Sequence, residues 1–460
     1  MRADPRAISH HAQFRSDPNE PPLPRWSIYG SGDDFSPHTL VDRGVIGVTM
    51  NFRLSILGSF AHPALNQGNQ TFKTNFGLLD VVSALDWVHE NIASFGGDPE
   101  RVTPCGGSSY TTALLVTPLA RGKFHSIIVS NPFFETSLDI HLPQAAEVGE
   151  AQGHMLNISG DDAADQLASL RNTSFEDLID IQFASYNEST RVEWRTNSQA
   201  AMFVDGVSLT SSVLDAFRRG DVADVPIIMG DPNGSPMDVG GHLFLNGTYG
   251  KFVSNETEFA SFIRASSPDE KTAQSILNAY PVSNPFEVIT QASRIMTDRY
   301  YGAQGYTMAS LLAEHGRTVY YYTSSLIGGK ISTGGTQHAP LVTYIAAIAG
   351  GRLFGTVFGI TPEPSLVDTM VTYWSNMAKT ANPNEGGGRK DGGDLPEWPP
   401  MRTHEQDTDA HRWMVLGPEE AGMQRIPTDV AAKFGIWEGF AERSLSVLVN
   451  SYDILTRMLY

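Results

Sequence analysis

Short apolar runs rich in β-branched residues alternate with helix-length amphipathic segments in the first third of the chain. Residues 45–50 (Val-Ile-Gly-Val-Thr-Met) form a nearly continuous apolar run, the pattern of a strand buried on both faces of a parallel sheet. Apolar residues at 78–95 recur every three or four positions, which predicts an amphipathic helix that ends at Gly96. Short strands are predicted again from Val102 and at 127–129. This order predicts the α/β class, with a doubly wound, mostly parallel central sheet and helices on both faces.

Composition divides the chain into a tail, a body and an insertion. Residues 1–25 hold five prolines and few apolar residues, which predicts a disordered or irregular tail. Residues 26–460 are predicted to form a single domain, with further strands at 225–229 and 318–322. Within that domain, the acidic, helix-prone stretch at about 135–200 predicts a helical cap or lid rather than a part of the sheet.

The charge balance excludes several classes of partner. The 460 residues include 32 Lys and Arg against 51 Asp and Glu, a formal net charge of −19. This is the wrong sign for binding nucleic acid or an anionic membrane surface. The sequence has no apolar run of the ~18 residues that a membrane span requires. Cys105 is the single cysteine, which excludes an internal disulfide and a cysteine-ligated metal site.

Six Asn-X-Ser/Thr acceptor sequences favour a secreted glycoprotein, because glycosylation at such sites takes place on the secretory route. The start of the sequence has no apolar region of the ~7–15 residues typical of a signal peptide, so no signal peptide is expected there. The acceptors are Asn69, Asn157, Asn172, Asn187, Asn246 and Asn255.

One serine lies in a context typical of a nucleophile. Gly106-Gly107-Ser108-Ser109-Tyr110 follows a predicted strand and precedes a predicted helix. A sharp turn between two such elements exposes a serine hydroxyl, and the helix N-terminus offers N–H groups to a developing oxyanion. Tyr110 replaces the second glycine of the Gly-x-Ser-x-Gly pattern. An ordinary loop is the alternative interpretation of so glycine-rich a string.

Four segments before this serine closely resemble the carboxylesterase type B family, which includes the cholinesterases and the catalytically silent neuroligins. The resemblance continues more thinly from about residue 28 to about residue 417. It implies the α/β-hydrolase fold with a helical cap, and an esterase or lipase activity that needs no cofactor. The four segments are Asn51–Gly58, Asn75–Asp80, Ala84–Ile92 and Phe95–Thr103.

The resemblance also implies roles for individual residues. The family's nucleophile falls on Ser108, and the adjacent amide of its oxyanion hole falls on Ser109. The family's histidine falls on His338, where an imidazole is suited to taking the serine proton and returning it to the leaving alcohol. The order serine, acid, histidine is the order that this fold uses.

The acid of the triad is where the sequence departs from the family. The family's glutamate lies in an Asp-Glu-Gly context shortly after a strand, and no acidic residue falls on that position here. Asp238 is the nearest acid in context, and Asp231 is the alternative. A triad acid orients the imidazole and stabilises its protonated form, so this assignment bears directly on activity.

Two further departures concern the oxyanion hole and the strand before the nucleophile. The family has a His-Gly-Gly-Gly-Phe strand end that supplies oxyanion amides, whereas this sequence has Pro21, Pro22 and Pro24, which carry no N–H. Pro104 lies within the predicted strand, where a central strand would lose a ladder hydrogen bond. The resemblance begins abruptly near residue 26, which indicates an N-terminally truncated or diverged member.

These observations lead to two hypotheses. The first is a carboxylic ester hydrolase that acts on a small-molecule ester through an acyl-enzyme on Ser108, with His338 as general base. It requires neither a cofactor nor a metal. The second is a catalytically weak or inactive homologue that serves as an extracellular binding module. The sequence leaves the identity of the ester and the oligomeric state open.

Overall fold

A computed structural model describes most of the chain between residues 37 and 443. The tail predicted at residues 1–25 lies outside the described residues. These are 37–66, 74–106, 109–130, 132, 140–184, 202–232, 255–324, 364–403, 410–417 and 421–443.

Helices predominate in the described residues, and the strands are short. The helices are α1 (His38–Val41), α2 (Ser55–Ser59), α3 (Phe76–Asn91), α4 (Ser109–Val116), α5 (Leu142–Met155), α6 (Ala163–Asn172), α7 (Phe175–Ala184), α8 (Val213–Arg219), α9 (Glu256–Ser266), α10 (Glu270–Ala279), α11 (Pro285–Thr297), α12 (Ala303–Glu314), α13 (Pro364–Thr380) and α14 (Thr428–Arg443). The strands are β1 (Cys105–Gly106), β2 (Ile127–Ser130), β3 (Ile140–His141), β4 (Phe203–Val204), β5 (Ile227–Pro232), β6 (Val319–Ser324), β7 (Arg412–Leu416) and β8 (Ala421–Arg425). A π-helical turn covers Asp298–Gly302, and short 3₁₀ helices cover Pro63–Asn66, Ile92–Phe95 and Pro118–Ala120.

The chain divides into two compact units, of which the first contains residues 46–127 and 134–225. Its long helix α3 buries the apolar residues that are spaced at three and four positions. A 3₁₀ turn continues α3, and the chain leaves the helix at Gly96, whose φ of 86° lies in the left-handed region that glycine adopts without strain. The helix predicted at 78–95 is therefore confirmed.

Two of the predicted strands differ from the observed structure. Residues 45–49 form no strand, and Met50 makes an isolated bridge. A β-branched apolar run favours strands only where a neighbouring segment supplies a hydrogen-bond ladder, and no described residue does so for 45–49. The strand predicted from Val102 begins at Cys105 instead, because Pro104 lacks the N–H that a ladder requires. Pro104 lies outside β1, so the predicted conflict does not arise.

Helices α5, α6 and α7 lie in the stretch that was predicted to form a cap. They confirm its helical character over the part that the structure describes. Its role as a cap or lid remains a prediction, as does the single-domain organisation of residues 26–460. Apolar residues of α6 and α7, and Leu156 directly after α5, pack in one cluster with α2 and its neighbours. The cluster comprises Ile56, Leu57, Phe60, Leu65, Leu156, Leu170, Leu178 and Ile181.

The second unit contains a mostly parallel sheet. Its strands lie in the order β2-β5-β6-β7-β8. Strand β6 is parallel to β5 on one side and to β7 on the other, and β8 is antiparallel to β7. Strands β2, β5 and β6 confirm the predictions at 127–129, 225–229 and 318–322, with small shifts of their ends. Together with the helices between the strands, this sheet confirms the α/β class.

Aromatic side chains fill the core of the second unit. Tyr322 on β6 makes edge-to-face contacts with Trp374 of α13 and with Trp398, at centroid distances of 5.6 and 6.1 Å. Its hydroxyl donates to Ser130 Oγ at the end of β2, at 3.1 Å. Gly230 on β5 leaves the space for this ring, since a Cβ there would lie 2.3 Å from Tyr322 Cδ1. These contacts hold the carboxyl ends of β2, β5 and β6 against one core.

Candidate active site

The structure describes Ser109 completely, and it describes Asp231 by its backbone. The other residues predicted to do chemistry, Ser108, Asp238 and His338, lie outside the described residues, so their roles remain predictions. Around these positions the structure describes the strand and the helix that flank Ser108 in the first unit, and the strands that precede Asp238 and His338 in the second unit.

A strand, a two-residue connection and a helix surround position 108. Strand β1 ends at Gly106 and helix α4 begins at Ser109. Every residue of α4 is buried, and Ser109 has 5% exposure. The first N–H groups of a helix have no partner within it and carry the positive end of the helix dipole, so amides in this position are suited to an oxyanion. The strand before position 108 and the helix after it are those that the sequence predicts.

Two neighbouring parallel strands lead toward the predicted acid and histidine. Strand β5 ends at Pro232, six residues before Asp238, and β6 ends at Ser324, 14 residues before His338. Pro232 and Ser324 lie opposite each other in the register. In open α/β sheets, ligands bind outside the carboxyl ends of the strands. We therefore expect the segments that carry the predicted acid and the predicted histidine to start at the carboxyl end of this parallel pair.

Two buried hydroxyl groups end β6, and the sequence analysis did not identify them. Thr323 and Ser324 have 2% and 0% exposure, and Asp231 lies opposite Thr323 in the register. Within the described part of the chain, neither hydroxyl has a hydrogen-bond partner. Buried polar atoms are nearly always paired, so these two hydroxyl groups are an exception within the described part of the second unit. The signal in the sequence was the change from Val-Tyr-Tyr-Tyr to Thr-Ser at the end of an apolar strand.

The described residues show neither a metal centre nor a membrane span. Among them, no group of three or more His, Cys, Asp or Glu side chains is arranged to hold a metal ion. No helix in the described ranges combines the length and the apolar character needed to cross a membrane. The described parts of the candidate site are backbone amides and hydroxyl groups.

Known proteins resemble this chain over most of its length. Neuroligin-2 of Mus musculus is 26% identical over 389 residues, which are 77% of this chain and 43% of that protein. Fumonisin B1 esterase of Sphingopyxis macrogoltabida is 26% identical over 382 residues, 79% of this chain and 66% of that enzyme. Carboxylesterase 1C of Rattus norvegicus is 25% identical over 399 residues, 81% of this chain and 65% of that protein. The chain spans less than half of Neuroligin-2 and slightly under two thirds of each esterase.

The sequence of this chain also matches the model of a protein family. The model described as Carboxylesterase family matches residues 27–430. The matched range contains β1, α4, β5 and β6 and all the residues predicted to act in catalysis. The chain belongs to the carboxylesterase family and has the α/β-hydrolase fold.

Proposed function

We propose that this chain hydrolyses carboxylic esters through an acyl-enzyme on Ser108, with His338 as general base. The observation that carries this proposal is the strand that ends two residues before Ser108 and the helix that begins one residue after it, in a member of the carboxylesterase family. Helix α4 begins one residue after Ser108, so its N-terminal amides accompany the proposed nucleophile. The reaction requires no cofactor.

The proposed reaction has two halves. The Ser108 hydroxyl oxygen bonds to the ester carbonyl carbon while His338 takes the hydroxyl proton, and the N–H of Ser109 donates to the oxyanion. The bond to the alkoxy oxygen then breaks, and the alcohol leaves with the proton from His338. Water, deprotonated by His338, adds to the acyl carbon and releases the carboxylic acid and the free serine.

Asp238 is proposed as the acid that orients His338, and Asp231 is the alternative. Asp231 lies within β5, in register with Thr323 of β6, and its direction is therefore tied to the pleat of the sheet. Asp238 lies six residues after the end of β5 in the sequence, in the context nearest to that of the family's acid. This difference favours Asp238.

A fluorophosphonate probe tests the nucleophile. We expect the probe to label the wild-type protein and not the Ser108→Ala variant, because only an activated serine reacts rapidly. Ser83→Ala, which changes an exposed serine of α3 in the same unit, is the matched control and should be labelled like the wild type. Labelling that persists in Ser108→Ala would assign the nucleophile to another residue.

A pair of amide substitutions tests the acid. We expect Asp238→Asn to lower the turnover of a chromogenic acyl ester by about 10⁴-fold, because an amide no longer holds the imidazole in the reactive tautomer. Asp231→Asn should change turnover little. Small and equal effects of both substitutions would mean that neither acid orients His338 and that any activity depends on the serine and histidine alone.

A second candidate function is binding without catalysis. The similarity to Neuroligin-2 over 77% of this chain favours it. The prolines at 21, 22 and 24 also favour it, because they replace the family's oxyanion strand and carry no N–H. Complete absence of probe labelling in folded wild-type protein would favour this function over ester hydrolysis.

We further propose that the protein is secreted and glycosylated. Among the described acceptors, Asn157 and Asn172 are exposed, whereas the Asn255 side chain accepts a hydrogen bond from the N–H of Glu258 at the start of α9. We therefore expect glycans on Asn157 and Asn172 in preference to Asn255 when the protein is produced in a secretory host. Enzymatic deglycosylation followed by peptide mass spectrometry identifies the occupied sites. Unmodified Asn157 and Asn172 would contradict the expectation.

A further inference from the structure

Tyr110 occupies the position at which the Gly-x-Ser-x-Gly pattern has its second glycine. It is the second residue of α4 and has 2% exposure. The pattern provides no side chain at this position, so the ring of a tyrosine fits only where the surrounding chain leaves room. The contacts of the ring identify that space.

The ring packs edge-on against Phe52. The two ring centroids are 4.8 Å apart and the ring planes are inclined at 64°, a geometry that aromatic pairs favour. Phe52 is itself buried, with 6% exposure. It belongs to the segment 51–58, so this contact attaches the first turn of α4 to that segment.

The hydroxyl end of the ring lies against two glycines. A Cβ atom on Gly77 would lie 2.7 Å from the Tyr110 hydroxyl oxygen, and a Cβ atom on Gly58 would lie 3.3 Å from it. The same two Cβ atoms would lie 2.6 and 2.4 Å from the carbonyl oxygen of Arg53. No larger residue fits at either position without displacing the backbone of Arg53. The two glycines therefore form the end of a pocket whose depth matches a tyrosine.

An ion pair between Arg53 and Asp80 connects the two segments that carry Gly58 and Gly77. Arg53 donates from its backbone N and its Nε to one carboxylate oxygen of Asp80, at 2.9 and 2.8 Å, and from Nη2 to the other at 2.6 Å. This pair connects the segment 51–58 to α3, the helix that carries Gly77. Burial, and to a smaller extent the charge of Asp80, raises the pKa of Tyr110, so its hydroxyl stays protonated.

From this geometry we propose that Tyr110 is a positioning residue for the nucleophile. Its ring, held by Phe52, Gly58 and Gly77, fixes the first turn of α4 and with it the adjoining Ser108 and the amide of Ser109. This role rests on the proposed ester hydrolysis. A displacement of about 1 Å in a reacting group lowers a rate by roughly 10²-fold. A loosened first turn would therefore slow the attack on the ester without weakening the binding of the ester.

The test compares Tyr110→Phe, Tyr110→Ala and Tyr110→Gly with the wild type, at a temperature where thermal melts show that every variant is folded. We expect Tyr110→Ala and Tyr110→Gly to lower kcat for a chromogenic acyl ester, and the rate of fluorophosphonate labelling, by roughly 10- to 100-fold with KM nearly unchanged. Tyr110→Phe retains the ring and should restore the wild-type rates. Phe259→Ala truncates a similarly buried aromatic residue of the second unit and should lower stability while leaving kcat unchanged.

The possible outcomes separate this proposal from the proposed function. Labelling of the wild type together with equally fast labelling of Tyr110→Ala or Tyr110→Gly would overturn the role of Tyr110 alone, and would leave the residue a part of the core. Absence of labelling in the wild type would overturn both proposals. If Tyr110→Ala does not fold, Tyr110→Leu makes the same comparison, because it retains apolar volume without the ring.

Discussion

Two aspartates, one in each compact unit, obtain their hydrogen-bond donors from different sources; Asp205 is buried and Asp298 is half-buried. Asp205, directly after β4, accepts on Oδ1 from the backbone N–H groups of residues 207–209 at 2.7 to 3.0 Å. Its Oδ2 accepts the hydroxyl of Ser208 at 2.7 Å. Asp298, in the π-helical turn before α12, accepts the hydroxyl of Tyr280 at 2.8 Å. The donors of Asp205 are thus mainly backbone N–H groups within four residues, whereas Asp298 accepts from a side chain 18 residues before it.

The surroundings of Asp298 change the pKa of its carboxyl group. Burial raises the pKa of its carboxyl from 3.8 to about 6, although the hydrogen bond from Tyr280 and the positive charges of Lys433 and Arg294 oppose the shift. The Tyr280 hydroxyl in turn accepts from Trp437 Nε1 at 2.9 Å. The two aspartates thus differ in their surroundings: backbone N–H groups supply most of the donors of Asp205, whereas burial is the largest cause of the pKa shift of Asp298. We therefore test Asp205 by removing its side chain, and we test Asp298 by measuring stability as a function of pH.

The largest effect is expected from Asp205→Ala. This substitution leaves the buried N–H groups of residues 207–209 without their acceptor, and it should lower the free energy of unfolding by about 3–5 kcal/mol. Urea denaturation monitored by circular dichroism measures the loss. Asp205→Asn, which retains one acceptor oxygen, is the control and should lose less. A loss below about 1 kcal/mol for Asp205→Ala would show that water replaces the carboxylate.

Asn75 extends the network around Asp205 and is expected to have the second-largest effect. Its Nδ2 donates to the Phe203 carbonyl at 2.8 Å and to Ser208 Oγ at 2.7 Å, and its Oδ1 accepts the Phe203 N–H at 2.7 Å. Asn75→Ala should lower the free energy of unfolding by about 2–3 kcal/mol. Combined with Asp205→Ala in a double-mutant cycle, the loss should be less than additive, because both residues engage Ser208. Strict additivity would show that the two residues act separately.

Asp298→Asn should change the pH dependence of stability. The folded pKa of about 6 lies above the ordinary value of 3.8, so the contribution of Asp298 to stability is fully present below about pH 4 and is lost as the pH rises through 6. An asparagine still accepts the Tyr280 hydroxyl but carries no charge. The variant should therefore gain on the order of 2 kcal/mol relative to the wild type between about pH 4 and pH 7.5.

The measurement is the difference in free energy of unfolding between this variant and the wild type across that range. The exposed Asp394→Asn is the matched control, and its difference from the wild type should not vary in this way. A difference that is constant with pH for Asp298→Asn would mean that Asp298 does not titrate near pH 6.

The smallest effect is expected from Tyr280→Phe. Loss of the hydroxyl removes the hydrogen bond from Trp437 Nε1 and should lower the free energy of unfolding by about 1 kcal/mol. The same loss removes a hydrogen bond that lowers the pKa of Asp298, so the midpoint of its titration should move upward. A carboxyl-sensitive NMR titration detects the shift. A midpoint that moves downward would contradict the assigned role of Tyr280.

Sequence patterns predicted the elements whose cause is local. The apolar spacing of α3 and the glycine that follows it lie within a few helical turns of one another, so the helix could be predicted without knowledge of its partners. The strand predicted at 45–50 was wrong because a strand also requires a neighbour, which lies elsewhere in the chain. Pro104 moved the start of β1 to Cys105 for a local reason, the missing N–H, which was already present in the sequence.

Some features around the predicted catalytic residues could likewise be predicted from local sequence, and others could not. The strand before position 108 and the helix after it were predicted, and the structure has both. Family resemblance assigns the role of His338 and, together with the strand and helix around it, that of Ser108, whereas Asp238 is the acid nearest in context; these assignments stay predictions. The buried hydroxyls of Thr323 and Ser324 were missed, because an apolar strand that ends in two small polar residues has the same sequence whether those residues face solvent or the interior.

The sequence by itself determined the α/β class, the family and the departure of Tyr110 from the family's glycine, because these depend on residue identity and short-range spacing. Only the tertiary structure decided where the ring of Tyr110 lies and which groups surround Asp298. The hydrogen bond between Tyr280 and Trp437 joins residues 157 positions apart. No short-range pattern encodes such a pair, because its geometry depends on how all the intervening elements pack.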